Sequence, residues 1–276
     1  MSLHDEPKID CHNHVFDPAR FPYAADAAYK PPPHEVGTTA HFLRVLDAYG
    51  VRYALLVGPT SGYGPDNRCL LDAVAAGGGR FKGIAVVPVD APAAELERLK
   101  AAGVVGVRLD VIAHGVARFA GAATLLEKLA ALDLFAQVQA ERDQLAELAP
   151  LLERSGVRIL IDHCGRPAPE AGLGQPGFKA LLALARTGRA TVKLSGPFRF
   201  SRGGAPYADT LPYVRAIIDA YTPDACIWGS DWPFIRMAER VDYGPVLKFV
   251  ETWLPDATAR RKVLWDTPRR LFGFAP

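Results

Sequence analysis

Short, almost unbroken apolar runs recur along the chain at regular intervals. They read KIDCHNHVF (8–16), RYALLVGP (52–59), FKGIAVVPV (81–89), VVGVRLDVI (104–112), LFAQVQA (134–140), VRILIDHCG (157–165), ATVKLSG (190–196) and ACIWGSD (225–231). Strands covered on both faces show such runs in place of a strict polar–apolar alternation. Between them lie segments such as HFLRVLDAYG, AAELERLKAAG and QLAELAPLLERSG, apolar at helical spacing and ended by glycine. Eight strand–helix units in 276 residues predict one α/β domain over residues 1–276, a single (β/α)8 TIM barrel. A doubly wound open sheet is the rival, but neither G-x-G-x-x-G nor G-x-x-x-x-G-K follows any run. The last segment, DATARRKVLWDTPRRLFGF, predicts one or two closing helices.

Composition narrows the partners. Hydrophobic residues make up 49% of the chain, enough for a sizeable core, and the formal charge is +2 with no block of like charge. That balance argues against a nucleic-acid or membrane surface and for a small-molecule partner. No stretch reaches the ~20 apolar residues of a spanning helix, and MSLHDEPKID does not read as an export signal. Cys11, Cys69, Cys164 and Cys226 are far apart and read as reduced thiols, so a cytoplasmic location is expected. A homo-oligomer remains open.

Polar residues gather where strands end, the rim that carries the chemistry of such barrels. His12 and His14 end the first run, Arg108 and Asp110 lie on the fourth, and Gln137 and Gln139 on the fifth. Asp162, His163 and Arg166 end the sixth, Lys193 and Ser195 the seventh, and Asp231 the eighth. Strict alternation puts Asp10, His12 and His14 on one side of the first strand, with Cys11 and Asn13 on the other. Cys11 and Cys164 are then expected to face the helices as packing residues. The long loop at 17–37 reads as a lid or a proline-rich clasp, and Trp232 as a wall of the site or as core, with the wall favoured.

The ordered set DCHNHVF, DHCGRP and GSDWP, with GPDNR, GVRL and the C-terminal LFGF, resembles the amidohydrolase superfamily over essentially the whole chain. Within it the chain is similar to the lactonase branch typified by 2-pyrone-4,6-dicarboxylate lactonase. The resemblance implies hydrolysis of a lactone without a required cofactor. Asp231 would act as general base, and His12, His14 and His163 would polarise the carbonyl and hold the oxyanion. It further implies substrate contacts from Arg108, Arg199, Ser61 and Tyr29, the arginines gripping carboxylates. The chain departs from the pattern at Ala113 and His114, where a second arginine is expected, and at Gln139, where a tyrosine is expected. One carboxylate grip is thereby weakened, which points to a muconolactone-like or sugar-acid lactone, with Gln139 as a hydroxyl partner. The alternative is a mononuclear zinc hydrolase or decarboxylase with His12, His14 and Asp231 as ligands. Strand 5 supplies no ligand for it, and Arg108 adds positive charge nearby.

Overall fold

The computed structural model describes residues 3–275. Eight strands form one parallel sheet in sequential order: β1 (Lys8–Asn13), β2 (Val51–Val57), β3 (Phe81–Ala85), β4 (Val104–Asp110), β5 (Phe135–Gln139), β6 (Arg158–Ile161), β7 (Ala190–Ser195) and β8 (Cys226–Gly229). The sheet rolls up until Asp231 N donates to the His12 carbonyl at 2.7 Å and His14 N to the Trp232 carbonyl at 2.8 Å. This is the (β/α)8 barrel that the apolar rhythm predicts. Among the described residues no helix is long and apolar enough to cross a membrane.

Alternation along the strands sorts their side chains into two layers. Ala54, Leu56, Val107, Leu109, Ile159, Ile161, Val192 and Leu194 face outward into the layer that the helices cover. Ile9, Leu55, Val57, Ile84, Phe135, Leu160 and Ile227 fill the barrel interior, packed with Trp265, Phe272 and Phe274 of the C-terminal segment. That segment runs through Ala257–Arg261, a wider π-helical stretch Lys262–Asp266, and Thr267–Phe272. The apolar filling ends at mid-height. Above it the inward positions become Gln137, Asp162, Lys193 and Ser195, which are buried and polar.

Strict alternation fails on β1. Asp10 pairs with Ala54 and Asn13 with Leu56, so β1 spends one residue more than β2 over the same span. This bulge redirects the side chains. Asp10 points outward, where its carboxylate accepts from Ser230 N (3.0 Å), Ser230 Oγ (2.6 Å) and Tyr243 OH (3.0 Å). Cys11 lies in the interior cluster rather than under the helices, while Cys164 packs in the outer layer. His12 can still turn inward because β8 offers Gly229 opposite it. A Cβ on Gly229 would sit 2.5 Å from the His12 Cβ.

Candidate active site

At the C-terminal end of the barrel a cavity of about 610 Å³ opens. Its floor holds His14, His163 and Asp231, with Arg108, Arg166 and Arg199 around them. Asp231 sits just past β8 with φ of 65°, in the left-handed region that side chains rarely adopt. His163, Cys164 and Arg166, just past β6, are also left-handed. Such strain persists only where surrounding contacts hold it, and it concentrates at functional sites. Here the Asp10 clamp holds the Ser230 peptide immediately before Asp231.

Three imidazoles converge on one oxygen. Asp231 Oδ1 lies 3.7 Å from His12 Nε2, 3.7 Å from His14 Nε2 and 3.9 Å from His163 Nε2. Asp231 Oδ2 accepts from Arg199 Nε at 2.6 Å. Burial alone would raise the Asp231 carboxyl, but the Arg199 guanidinium and the imidazoles hold it well below the usual carboxylate range.

Below the rim, a buried polar network supports His12. Its Nδ1 faces Asp162 Oδ1 at 3.2 Å, and Asp162 Oδ1 is 3.3 Å from the Lys193 ammonium. Lys193 also donates to Gln137 Oε1 at 2.5 Å, and Gln137 Nε2 donates to Asp162 Oδ2 at 2.9 Å. All four side chains are fully buried. His12 Nδ1 also lies 3.3 Å from Lys193 Nζ, so it faces an acceptor and a donor at once, while its Nε2 is a buried atom with no hydrogen-bond partner among the described residues. His14 Nδ1 meets a pure acceptor and donates to the Val57 carbonyl at 2.8 Å, which leaves its Nε2 bare. His163 differs: its Nδ1 meets Ser195 Oγ at 2.9 Å.

Burial, assisted by the Lys193 charge and opposed by Asp162, lowers His12 from the model-compound 6.5 to about 4. Burial pushes His163 well down too. Between about pH 6.5 and 4 the unfolded chain therefore takes up protons that the folded chain refuses. Stability is expected to fall as pH drops through that window, by ~1.4 kcal/mol per pH unit for each such group. Urea unfolding midpoints at pH 7 and pH 5 check this, and equal or greater stability at pH 5 would contradict it.

The remaining residues expected at the site distribute unevenly. Arg108 lines the cavity, its guanidinium donating to the Gly58 carbonyl at 3.2 Å and to Gln139 Oε1. Ser61 and Gln139 also line it. His12 lies one layer beneath the wall, reaching the site through Nε2 alone. Tyr29 is not part of the wall. Its hydroxyl donates to Glu35 Oε2 at 2.5 Å, and its ring lies under the Arg236 guanidinium at 4.2 Å. Trp232 is core: it stacks on Phe42 at 4.7 Å and packs against Gly37.

Loop 17–37 borders the cavity with Ala24, Asp26, Ala27 and Ala28. It is pinned through Ala24 N to the Gly62 carbonyl (2.7 Å), Gly62 N to the Tyr29 carbonyl (2.8 Å) and Arg236 N to Glu35 Oε1 (2.8 Å). Three of the cavity's arginines, Arg118, Arg166 and Arg236, have no role that the sequence pattern assigns. The arginine of DHCGRP was visible at the end of strand 6. Arg118 lies in a short 3-10 turn, Val116–Phe119, and Arg236 in the loop after β8, segments whose course the apolar pattern does not encode.

This barrel, with H-x-H at the end of β1 and an aspartate just past β8, is that of an amidohydrolase. The chain belongs to that family, whose profile matches residues 9–274. Among relatives, it is 33% identical over 273 residues to a 4-sulfomuconolactone hydrolase of Hydrogenophaga intermedia, covering 96% of this chain and 88% of the relative. It is 30% identical over 278 residues to a 2-pyrone-4,6-dicarboxylate hydrolase of Comamonas testosteroni, covering 96% and 89%. A solved structure from Acinetobacter baumannii, described as a probable 2-pyrone-4,6-dicarboxylic acid hydrolase with citric acid bound, superposes with a TM-score of 0.88 at 28% identity, covering 97% of this chain and 99% of that one.

Proposed function

We propose that this protein hydrolyses a small lactone bearing at least one anionic group. The observation that carries the reading is the Asp231 carboxylate, ringed by three imidazoles in the floor of a cavity whose wall holds Arg108, Arg118, Arg166, Arg199 and Arg236. Arg118 and Arg236 have no ion-pair partner among the described residues, which leaves the mouth attractive to anions. The relatives support the same class, since both are named for lactones that carry sulfonate or carboxylate groups.

In this reading Asp231 takes a proton from the water that attacks the lactone carbonyl carbon. The ring carbon–oxygen bond then breaks, the ring oxygen leaves with a proton, and a hydroxy acid is released. While Arg199 grips Asp231 the carboxylate is a weak base. A substrate anion that draws Arg199 toward itself strengthens that base as it binds. His14, protonated on Nδ1, is an acceptor at Nε2 while neutral. It suits the ordering of water and the onward passage of its proton better than donation to a carbonyl. Donation then falls to His163 and the guanidinium groups.

A second reading keeps the reaction and adds a divalent cation. The partnerless Nε2 of buried His12, the similarly aimed His14 Nε2 and Asp231 fit one, and the nearest ligand atoms of His12, His163 and Asp231 lie within 4.8 Å of one another. When bound there, it would polarise the carbonyl and acidify water. The glutamines of β5 are engaged elsewhere, Gln137 with Lys193 and Gln139 with Arg108.

Proton release from a lactone panel tests both. Sulfonated or carboxylated muconolactones and pyrone dicarboxylate are expected to exceed neutral lactones in kcat/KM by roughly 10–100-fold, the worth of one charge-assisted hydrogen bond. Equal turnover of neutral lactones would count against the anionic substrate class. Activity that survives chelation supports the metal-free form, whereas loss restored by zinc supports the second.

A further inference from the structure

Of the three histidines that surround Asp231, His14 meets a pure acceptor, the Val57 carbonyl, and His12 Nδ1 sits between the Asp162 carboxylate and the Lys193 ammonium. The third faces a hydroxyl, which can donate or accept. Ser195 is fully buried, and its Oγ has no hydrogen-bond partner other than His163 Nδ1 among the described residues. If His163 carried its proton on Nδ1 and donated to Ser195, the hydroxyl hydrogen would be buried with nowhere to go. A buried unsatisfied donor is costly. If Ser195 donates instead, both groups are satisfied. The ring is held to this partner from the other side as well, since a Cβ on Gly196 would lie 2.7 Å from His163 Nδ1.

We infer that Ser195 is a positioning residue: its hydroxyl donates to His163 Nδ1 and so places the single ring proton on Nε2. His163, unlike His14, then offers an N–H to the lactone carbonyl while neutral. The assignment of that carbonyl as acceptor rests on the lactone-hydrolase reading; the tautomer does not. It also separates His163 from His14 as a cation ligand, because a protonated Nε2 has no lone pair to give.

The test is a long-range proton–nitrogen NMR spectrum of chelator-treated protein labelled with nitrogen-15 in histidine, with His163→Gln to assign the signal. The expected result is a protonated Nε2 and a bare Nδ1 on His163. A proton on Nδ1, or on both nitrogens, overturns the inference, whatever lactone is or is not turned over. In Ser195→Ala the proton is expected to move toward Nδ1. On the best lactone, kcat should fall roughly tenfold or more with KM little changed, approaching the ~10²–10³-fold of a lost oxyanion donor. Ser195→Thr, which keeps the hydroxyl, should retain the wild-type tautomer. An unchanged His163 tautomer in Ser195→Ala also overturns the role of the serine, even if that variant proves less stable. Absence of turnover on every lactone, with the Nε2 tautomer intact, would instead remove the proposed reaction and leave the positioning role standing.

Discussion

Asp231→Asn is expected to lower kcat on the best lactone by ~10²–10⁴-fold, the range for loss of a general base. The substitution is nearly isosteric, so the backbone bonds that hold this left-handed residue, His12 O to Asp231 N above all, can persist. What disappears is the charge. An amide cannot take a proton from water, and it no longer neutralises the Arg199 guanidinium that Oδ2 engages at 2.6 Å. Freed of that pair, Arg199 still binds a substrate anion, so KM should hold or fall while kcat collapses. Steady-state kinetics with a circular-dichroism check of the fold decide it. Turnover within about threefold of wild type would remove Asp231 from the base role and direct attention to His14, whose bare Nε2 borders the same cavity.

The second large effect concerns stability. Asp162 and Lys193 form a fully buried ion pair at 3.3 Å, knit to His12 and Gln137. Burial works against the Asp162 charge, yet the Lys193 ammonium and the His12 ring outweigh it and hold the carboxyl well below its ordinary range. Removing one partner strands the other charge in the barrel, at a cost of ~3–5 kcal/mol. Lys193→Met and Asp162→Leu are each expected to lower the unfolding free energy by about that much. The double variant, which strands no charge, should recover most of the loss. Urea unfolding of the three variants reads this out. A loss below ~1 kcal/mol in either single variant would mean that water or a rearranged neighbour solvates the remaining charge.

Much of this molecule is legible in its sequence. The eight runs fall on the eight strands because parallel strands covered on both faces must be apolar throughout, and that demand is written residue by residue. The polar residues that interrupt the runs, from His12 on β1 to Asp231 after β8, mark the rim for the same reason. A buried polar side chain is tolerated only where others satisfy it. The β1 bulge was not legible. A one-residue backbone insertion leaves no mark in an alternation pattern, yet it turns Asp10 outward, Cys11 inward and leaves His12 at the site. The neighbours of Tyr29 and Trp232 are not legible for a related reason: the apolar pattern reports burial, and both are packed, but it does not say against what.

By itself, then, the sequence determined the barrel, its closing C-terminal helices, the family and which residue types collect at the working end. These follow from local periodicity and order along the chain. The tertiary structure alone decided which atoms face one another: Arg199 on Asp231, Lys193 on Asp162, Ser195 on His163, and acceptors behind His12 and His14. Those pairings join strands far apart in sequence, and they set where each proton sits. Hydrogen-bond direction depends on the partner's chemistry at about 3 Å. No spacing along the chain encodes that distance.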